Sequence, residues 1–200
     1  MGMIVYMMGK SSTGKDTIYK RLLQNDNLAL KAVILYTTRP QRIKETDGVE
    51  YHFVDEQKYE KLKKQGKIIE ERAYETFHGL WRYFTVDDGK LDLKKENYII
   101  IGTLESYLKT KEYFGGQHML PILVETDDAE RLLRAIKREK KQESPKYEEL
   151  CRRFLADSED FSEEKIKEAG IQRRFYNNND DLDNCLREIV EYIKENLCVQ

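Results

Sequence analysis

Gly9-Lys10-Ser11-Ser12-Thr13-Gly14-Lys15-Asp16-Thr17 stands between the apolar run Met3-Ile4-Val5-Tyr6-Met7-Met8 and a helical pattern carried by Ile18, Leu22 and Leu23. An apolar strand that ends in a glycine-bounded loop and resumes as an amphipathic helix reads as a phosphate-binding loop. Gly9 and Gly14 let successive backbone N–H groups converge on phosphate oxygens, and the helix points its positive end at the same anions. Lys15 adds a full positive charge. The spacing is that of the Walker A pattern G-x-x-x-x-G-K-[ST], in which the lysine reaches the β- and γ-phosphates of a nucleotide and the next hydroxyl holds Mg²⁺. Gly9, Ser11, Ser12, Thr13, Gly14, Lys15, Asp16 and Thr17 are the expected ATP contacts.

The hydroxyl position is occupied by Asp16. A carboxylate about 4 Å from a phosphate oxygen costs on the order of 4 kcal/mol at an effective dielectric of about 20. A cation between the two reverses the sign, so Asp16 is expected to be a direct or water-mediated Mg²⁺ ligand, with Thr17 as a second oxygen. The other reading of Asp16 is a solvated acid at the helix N-terminus.

The rest of the composition narrows the class. Two hundred residues support one sizeable core with inserted subdomains. Charged residues make up 36% of the chain at a net charge of −2, which argues against a generic nucleic-acid or membrane binder and makes any anion site local. Cys151, Cys185 and Cys198 form no C-x-x-C pair, as expected of a reduced cytoplasmic protein. No signal-like or membrane-length apolar run is present, and Met1-Gly2 lacks the serine or threonine that a myristoylation signal needs at position six, where Tyr6 stands.

Downstream, Ala32 to Thr38 reads as a buried strand broken by Arg39-Pro40, Asp47-Gly48 as a turn, and Val49 to Val54 as extended. Glu56 to Gln65 is helical and stopped by Gly66, and Ile68–Tyr74 and Leu80–Val86 are two further strands. Strand–helix alternation resumes with Tyr98–Ile101, a helix from Leu104, Leu120–Val124 and a helix from Asp127. On that helix Leu132, Leu133 and Ile136 share one face while Arg131, Arg134 and Arg138 share another. Residues 131–153 hold nine Lys/Arg against four Glu, a local charge of +5. A helix over Pro145 to Glu168, a short extended Arg174-Phe175-Tyr176 and a helix bearing Leu182, Leu186, Ile189 and Ile193 complete the chain. The fold class is therefore α/β, a three-layer phosphate-loop fold with a parallel core sheet and an inserted small mixed-sheet subdomain. The expected division is a core of residues 1–32, 89–136 and 154–200, a mixed-sheet subdomain at 33–88 and a basic helical segment at 137–153, the last two corresponding to the monophosphate-binding subdomain and helical lid implied by the resemblance given next.

With these motifs in view the chain resembles the guanylate kinase family. The most specific match is Thr37-Thr38-Arg39-Pro40-Gln41-Arg42 followed by Asp47-Gly48-Val49-Glu50-Tyr51-His52-Phe53-Val54. It is similar to the family's monophosphate segment, and the resemblance implies that Arg39, Arg42 and Tyr51 hold the GMP phosphate. Guanidinium forks pair bidentately with phosphate, and a phenol adds a neutral donor. Gly66-Lys67-Ile68-Ile69-Glu70 is similar to the strand ending in the family's guanine-reading glutamate, which implies that role for Glu70, with Glu71 as its neighbour and rival. Asn179-Asp180-Asp181-Leu182 is similar to the adenine-side turn, and Tyr83 and Thr85 stand closest to the family's Tyr-Gly-Thr/Ser ending. Arg134, Arg138 and Arg153 match lid arginines.

The departures lie on the base side. Leu35 replaces a small hydroxyl residue, and Ile101-Gly102-Thr103-Leu104-Glu105 stands where the family carries D-x-D-x-Q-G, with Thr103 and Glu105 as the available substitutes. The implied reaction is ATP-dependent phosphorylation of GMP with Mg²⁺, Lys15 and the three lid arginines neutralising the transferring group. The implied partners are the nucleotides alone, with no nucleic acid or membrane, for a monomer or homodimer. Two other readings remain: a kinase of another phosphorylated acceptor such as a ribose bisphosphate, and a non-catalytic phosphopeptide-binding module.

Overall fold

A computed structural model describes residues 2–43, 45–76, 79–178 and 181–198. The apolar run before the loop becomes β1 (Ile4–Met8), the middle strand of a five-stranded sheet in which all pairings are parallel. Its neighbours are β7 (Asn97–Ile101) and β8 (Met119–Glu125), with β2 (Leu30–Ala32) and β9 (Arg174–Tyr176) at the edges. Every residue of β1 is buried, as a parallel strand covered on both faces requires. Alternation divides it: Val5 and Met7 pack with Ile18 and Leu22 of α1 (Lys15–Leu23) and Ile189 and Ile193 of α7 (Leu182–Cys198). Ile4, Tyr6 and Met8 pack on the other side with Leu104 and Tyr107 of α3 (Leu104–Phe114) and Ile166 of α6 (Glu163–Glu168). Three layers result.

The second sheet has the order β4-β3-β6-β5 and contains β3 (Tyr36–Thr37), β4 (His52–Phe53), β5 (Ile68–Thr76) and β6 (Gly79–Val86). Its outer face has its own core, in which Phe84, Val86 and Ile68 meet Tyr59 and Leu62 of α2 (Glu56–Lys64). Asp55 caps α2 through the Lys58 N–H at 2.7 Å, and Gly66 beyond its end takes φ 65°. The third component is a helical hairpin of α4 (Asp128–Glu139) and α5 (Tyr147–Asp160), within which segment 137–153 covers the end of one helix, the turn and the first half of the other. Among the described residues no helix is long and apolar enough to cross a membrane, Cys151 is exposed, and Cys185 is a buried free thiol that burial pushes up to about 12.

Four local expectations change. The run Ala32–Thr38 is two strands, because the chain leaves the parallel sheet after the Val33 N–H bonds Ile99 O at 3.0 Å and joins the mixed sheet at Tyr36. Of Val49–Val54 only β4 is strand, since Gly48 takes φ 77° and donates back to Tyr51 O at 2.8 Å. The helix expected over Pro145–Glu168 is broken at Phe161, whose ring enters the core, after which Ser162 caps α6. On α4 two residues depart from their expected faces: Arg131 is 1% exposed and Leu133 58%, while Leu132 and Ile136 are half-buried and Arg138 is exposed.

Candidate active site

The loop after β1 takes the conformation its glycines permit. Gly9 has φ 152° and Gly14 φ 87°, and side chains there would collide with the Val124 carbonyl and the Asn177 amide. Ser12, at φ 67°, holds a left-handed conformation without a glycine's freedom, which costs about 1 kcal/mol or more and persists because the surroundings hold it. The loop's carbonyls are tied from behind. Thr13 Oγ1 donates to Lys10 O at 3.0 Å, Arg131 Nε to Ser11 O at 3.1 Å, and Asn177 Nδ2 to Thr13 O at 2.7 Å. Thr126 Oγ1 bridges Thr13 O at 3.4 Å and Asn177 O at 2.9 Å.

Helix α1 begins at Gly14 with no side-chain cap, so its first-turn N–H groups are open to an anion. Three buried polar atoms without a hydrogen-bond partner, Ser12 Oγ, Arg131 Nη2 and Asn177 Oδ1, lie on this loop and on the residues that brace it. Buried polar atoms are normally satisfied, so their concentration here marks a ligand site. Lys15 Nζ stands 3.6 Å from Asp16 Oδ1, and the Asp16 side chain is 76% exposed. Thr17 is exposed on the same turn. Among the described residues no three carboxylates, histidines or cysteines gather as a metal cage. The donor set fits Mg²⁺ only in the manner of one carboxylate supplemented by phosphate oxygens and water.

The residues expected to meet the acceptor lie on the inner face of the mixed sheet. A bulge between Ile68 and Glu70 in β5 puts Ile68 in the α2 core and turns Glu70 to the other face. There Glu70 pairs in register with Thr85, and Arg72 with Tyr83. Glu70 Oε1 accepts from Thr85 Oγ1 at 2.7 Å, while Arg72 reaches Oε2 through Nε at 3.2 Å and Oε1 through Nη2 at 3.4 Å. Glu71 faces α2 instead, where it bonds the Tyr59 hydroxyl and Lys63.

Arg39 is 3% exposed, lies 5.7 Å from the Tyr51 ring centroid and 5.5 Å from that of Phe53, and donates to Glu45 Oε1 at 2.8 Å. Tyr51 packs edge-on to Tyr83. Burial raises the Tyr51 phenol above its usual range, with charges of Tyr83, Arg72, Arg39 and Asp16 acting on it. Arg42 is exposed, its backbone N–H held by Glu45 Oε2 at 2.9 Å.

The structure thus links Arg39 to Tyr51, Tyr51 to Tyr83 and Thr85 to Glu70 along neighbouring strands, while Arg42 is exposed. Thr103 serves as N-cap of α3, accepting the Ser106 N–H at 3.3 Å, and Glu105 is drawn to Lys109 at 2.7 Å. Gly102 leaves room for the Tyr6 hydroxyl, which donates to Ser106 Oγ at 2.7 Å. Arg153 Nη2 donates to Ser11 Oγ at 3.2 Å, and Arg134 Nη2 to Glu130 at 2.5 Å and Asn177 O at 3.1 Å. Arg138 is exposed. Asn179 lies outside the described residues.

Sequence reasoning missed the braces. Arg131 stacks 4.7 Å from the Phe154 ring centroid, donates to Asp128 Oδ1 at 2.6 Å, and faces Asp157, whose Oδ2 accepts the Ser11 N–H at 2.7 Å. The Asp128–Arg131 spacing is a helical i,i+3 pair, a usable signal. Nothing local announces Asn177, Asp157 or the Glu70–Arg72 pair.

The family model described as guanylate kinase matches residues 2–79. The guanylate kinase of Clostridioides difficile is 37% identical over 79 residues, 39% of this chain and 38% of that one. That of Schizosaccharomyces pombe is 39% identical over 66 residues, 33% of each chain. The chain thus spans only about two-fifths of the length of the relatives it matches, 38% for the first. A crystal structure of guanylate kinase from Anaplasma phagocytophilum is similar at TM-score 0.62 and 22% identity, covering 97% of this chain and 85% of that one. The sequence likeness covers the loop and the arginine turn, and the fold likeness extends over nearly the whole chain.

Proposed function

We propose, from guanylate kinase sequence at the loop and arginine turn and a guanylate kinase fold throughout, that this protein transfers the terminal phosphoryl group of ATP to GMP. The observation that carries the reading is the phosphate loop itself, braced from behind and left uncapped at the start of α1, in a chain that also packs Arg39 against the Tyr51 ring at 5.7 Å.

In this reading the loop amides and Lys15 hold the ATP phosphates, and Arg39, Arg42 and Tyr51 hold the acceptor phosphate. A phosphate oxygen of GMP attacks the γ-phosphorus, its bond to the β-bridging oxygen breaks, and ADP and GDP leave. The acceptor phosphate is already ionised near neutral pH, since the second pKa of a phosphate monoester is about 6, so no side chain has to remove a proton. The protein's contribution is positioning and charge neutralisation. Asp16 and Thr17 would hold Mg²⁺, which would offset negative charge on the phosphates. The hairpin segment 137–153 serves as the lid, bringing Arg134, Arg138 and Arg153 to the transferring group and excluding water.

A coupled ADP-release assay with ATP and Mg²⁺ tests this by comparing GMP with dGMP, AMP, UMP, CMP and ribose 1,5-bisphosphate. Preference for GMP is the expected result. Turnover of ribose 1,5-bisphosphate alone, a second reading favoured by Asp16 in the loop and by Leu35 in the pocket, would keep the donor half and discard the acceptor half. Absence of both turnover and ATP binding would refute the kinase reading.

A further inference from the structure

We infer that Arg72 determines base specificity in the acceptor pocket, donating to the O6/N7 edge of a 6-oxopurine while Glu70 accepts its N1–H. This rests on the purine-monophosphate reading above.

A guanine base presents two kinds of edge: N–H donors at N1 and N2, and acceptors at O6 and N7. A carboxylate serves the first kind only, and a guanidinium fork serves the second. Leu35 stands where a hydroxyl donor is expected, and its side chain belongs to the apolar cluster with Tyr6 and Leu104. The donor has to come from elsewhere.

Arg72 is placed for it. It lies two residues beyond Glu70 on the same face of β5, opposite Tyr83, whose ring packs on Tyr51 of the phosphate clamp. The Glu70 side chain is 0% exposed and that of Arg72 10%, so Arg72 is the first of the two that a base meets, and N1–H reaches Glu70 by taking the place of part of their pairing. Its contacts to Glu70, at 3.2 and 3.4 Å, are long for a fork pair and leave donor capacity for a base.

The same contacts restrict Glu70. A carboxylate offers about four acceptor sites. Thr85 Oγ1, Arg72 Nε and Arg72 Nη2 occupy three. One remains for the base, enough for N1–H but not also for the 2-amino group. The pocket therefore reads hypoxanthine nearly as well as guanine and rejects adenine, whose N1 and exocyclic amine reverse both signals.

The test is kcat/KM for GMP, IMP and AMP in wild type, Arg72→Ala and Arg72→Lys, with ATP binding measured on each as the folding control. Wild type is expected to favour GMP over IMP by less than about 10-fold, one fully formed hydrogen-bond pair being the upper limit, and both over AMP by more. Arg72→Ala is expected to lose about 10- to 150-fold toward GMP and IMP, through KM, with a smaller loss toward AMP. Arg72→Lys, which keeps the charge beside Glu70 but not the planar fork, falls between the two. GMP and IMP values unchanged or raised in Arg72→Ala, with ATP binding intact, would overturn the inference and leave Arg72 as a cover over Glu70. A strong preference for GMP over IMP would overturn the single-site account of Glu70. Wild-type turnover of ribose 1,5-bisphosphate alone would instead refute the acceptor reading itself, so the two failures are distinguishable.

Discussion

The phosphate loop and the inner face of the mixed sheet hold their shape in different ways. At the loop the groups left open are backbone N–H groups, and the side chains around them act as braces on carbonyls. On the sheet, the proposed acceptor end, the candidate groups are side chains that already satisfy one another: Arg39 with Glu45, Glu70 with Arg72 and Thr85. A backbone site tolerates changes of side chain around it but recognises only the charge and shape common to phosphates. A site of paired side chains discriminates among bases, and one substitution redirects it.

The comparison breaks most visibly in stability. Phe84 is fully buried in the separate α2 core, so Phe84→Ala is expected to cost about 3–5 kcal/mol. If the mixed sheet is an independent unit, hydrogen exchange will show β5 and β6 opening while β1, β7 and β8 keep their protection. Uniform loss across both sheets would show a single cooperative body.

Next comes the charge at the donor end. Lys15→Ala is expected to lower kcat by about 10²- to 10³-fold with little change in melting temperature, because the lysine's ion pair with exposed Asp16 is a loose one at 3.6 Å. A kcat within a few-fold of wild type would remove Lys15 from the transfer step. Asn177→Ala strips a 2.7 Å bond from the buried Thr13 carbonyl, at about 1–3 kcal/mol in denaturant unfolding, and raises the KM for ATP more than that for GMP. An equal rise in both would mean that the brace serves the whole cleft.

The smallest effect belongs to the acceptor end. Burial works to raise the Glu45 carboxyl, but the hydrogen bonds from Arg39 and the Arg42 amide outweigh it and leave it below its usual range. A depressed carboxyl contributes stability above its unfolded pKa and loses it as pH falls through the folded value. Unfolding of the wild type between pH 5 and pH 3 therefore contains a contribution of about 1 kcal/mol or less that is absent in Glu45→Gln. Identical pH profiles would show that the pair adds nothing measurable.

The residues that could be read from the sequence are those whose reasons are local. Gly9, Gly14 and Lys15 sit within one turn of each other, and the alternation along β1 already separates the faces that meet α1 and α3, so the strand–loop–helix unit and the α/β class follow from neighbouring residues. The arginine turn and the α2 cap are legible for the same reason. What only the tertiary structure decided depends on residues far apart in the chain. The loop is braced by Asp157 and Asn177, separated by 146 and 164 positions from the Ser11 and Thr13 they bond. Helical periodicity places Arg131 on a polar stripe, yet it is buried because Ser11, Asp128, Asp157 and Phe154 converge on it. The resemblance singles out Glu70 with Glu71 as its rival, and only the bulge in β5 shows which of the two turns inward, beside Arg72. Periodicity assigns a residue to a face of its own element, but the groups that come to lie against that face are set by packing.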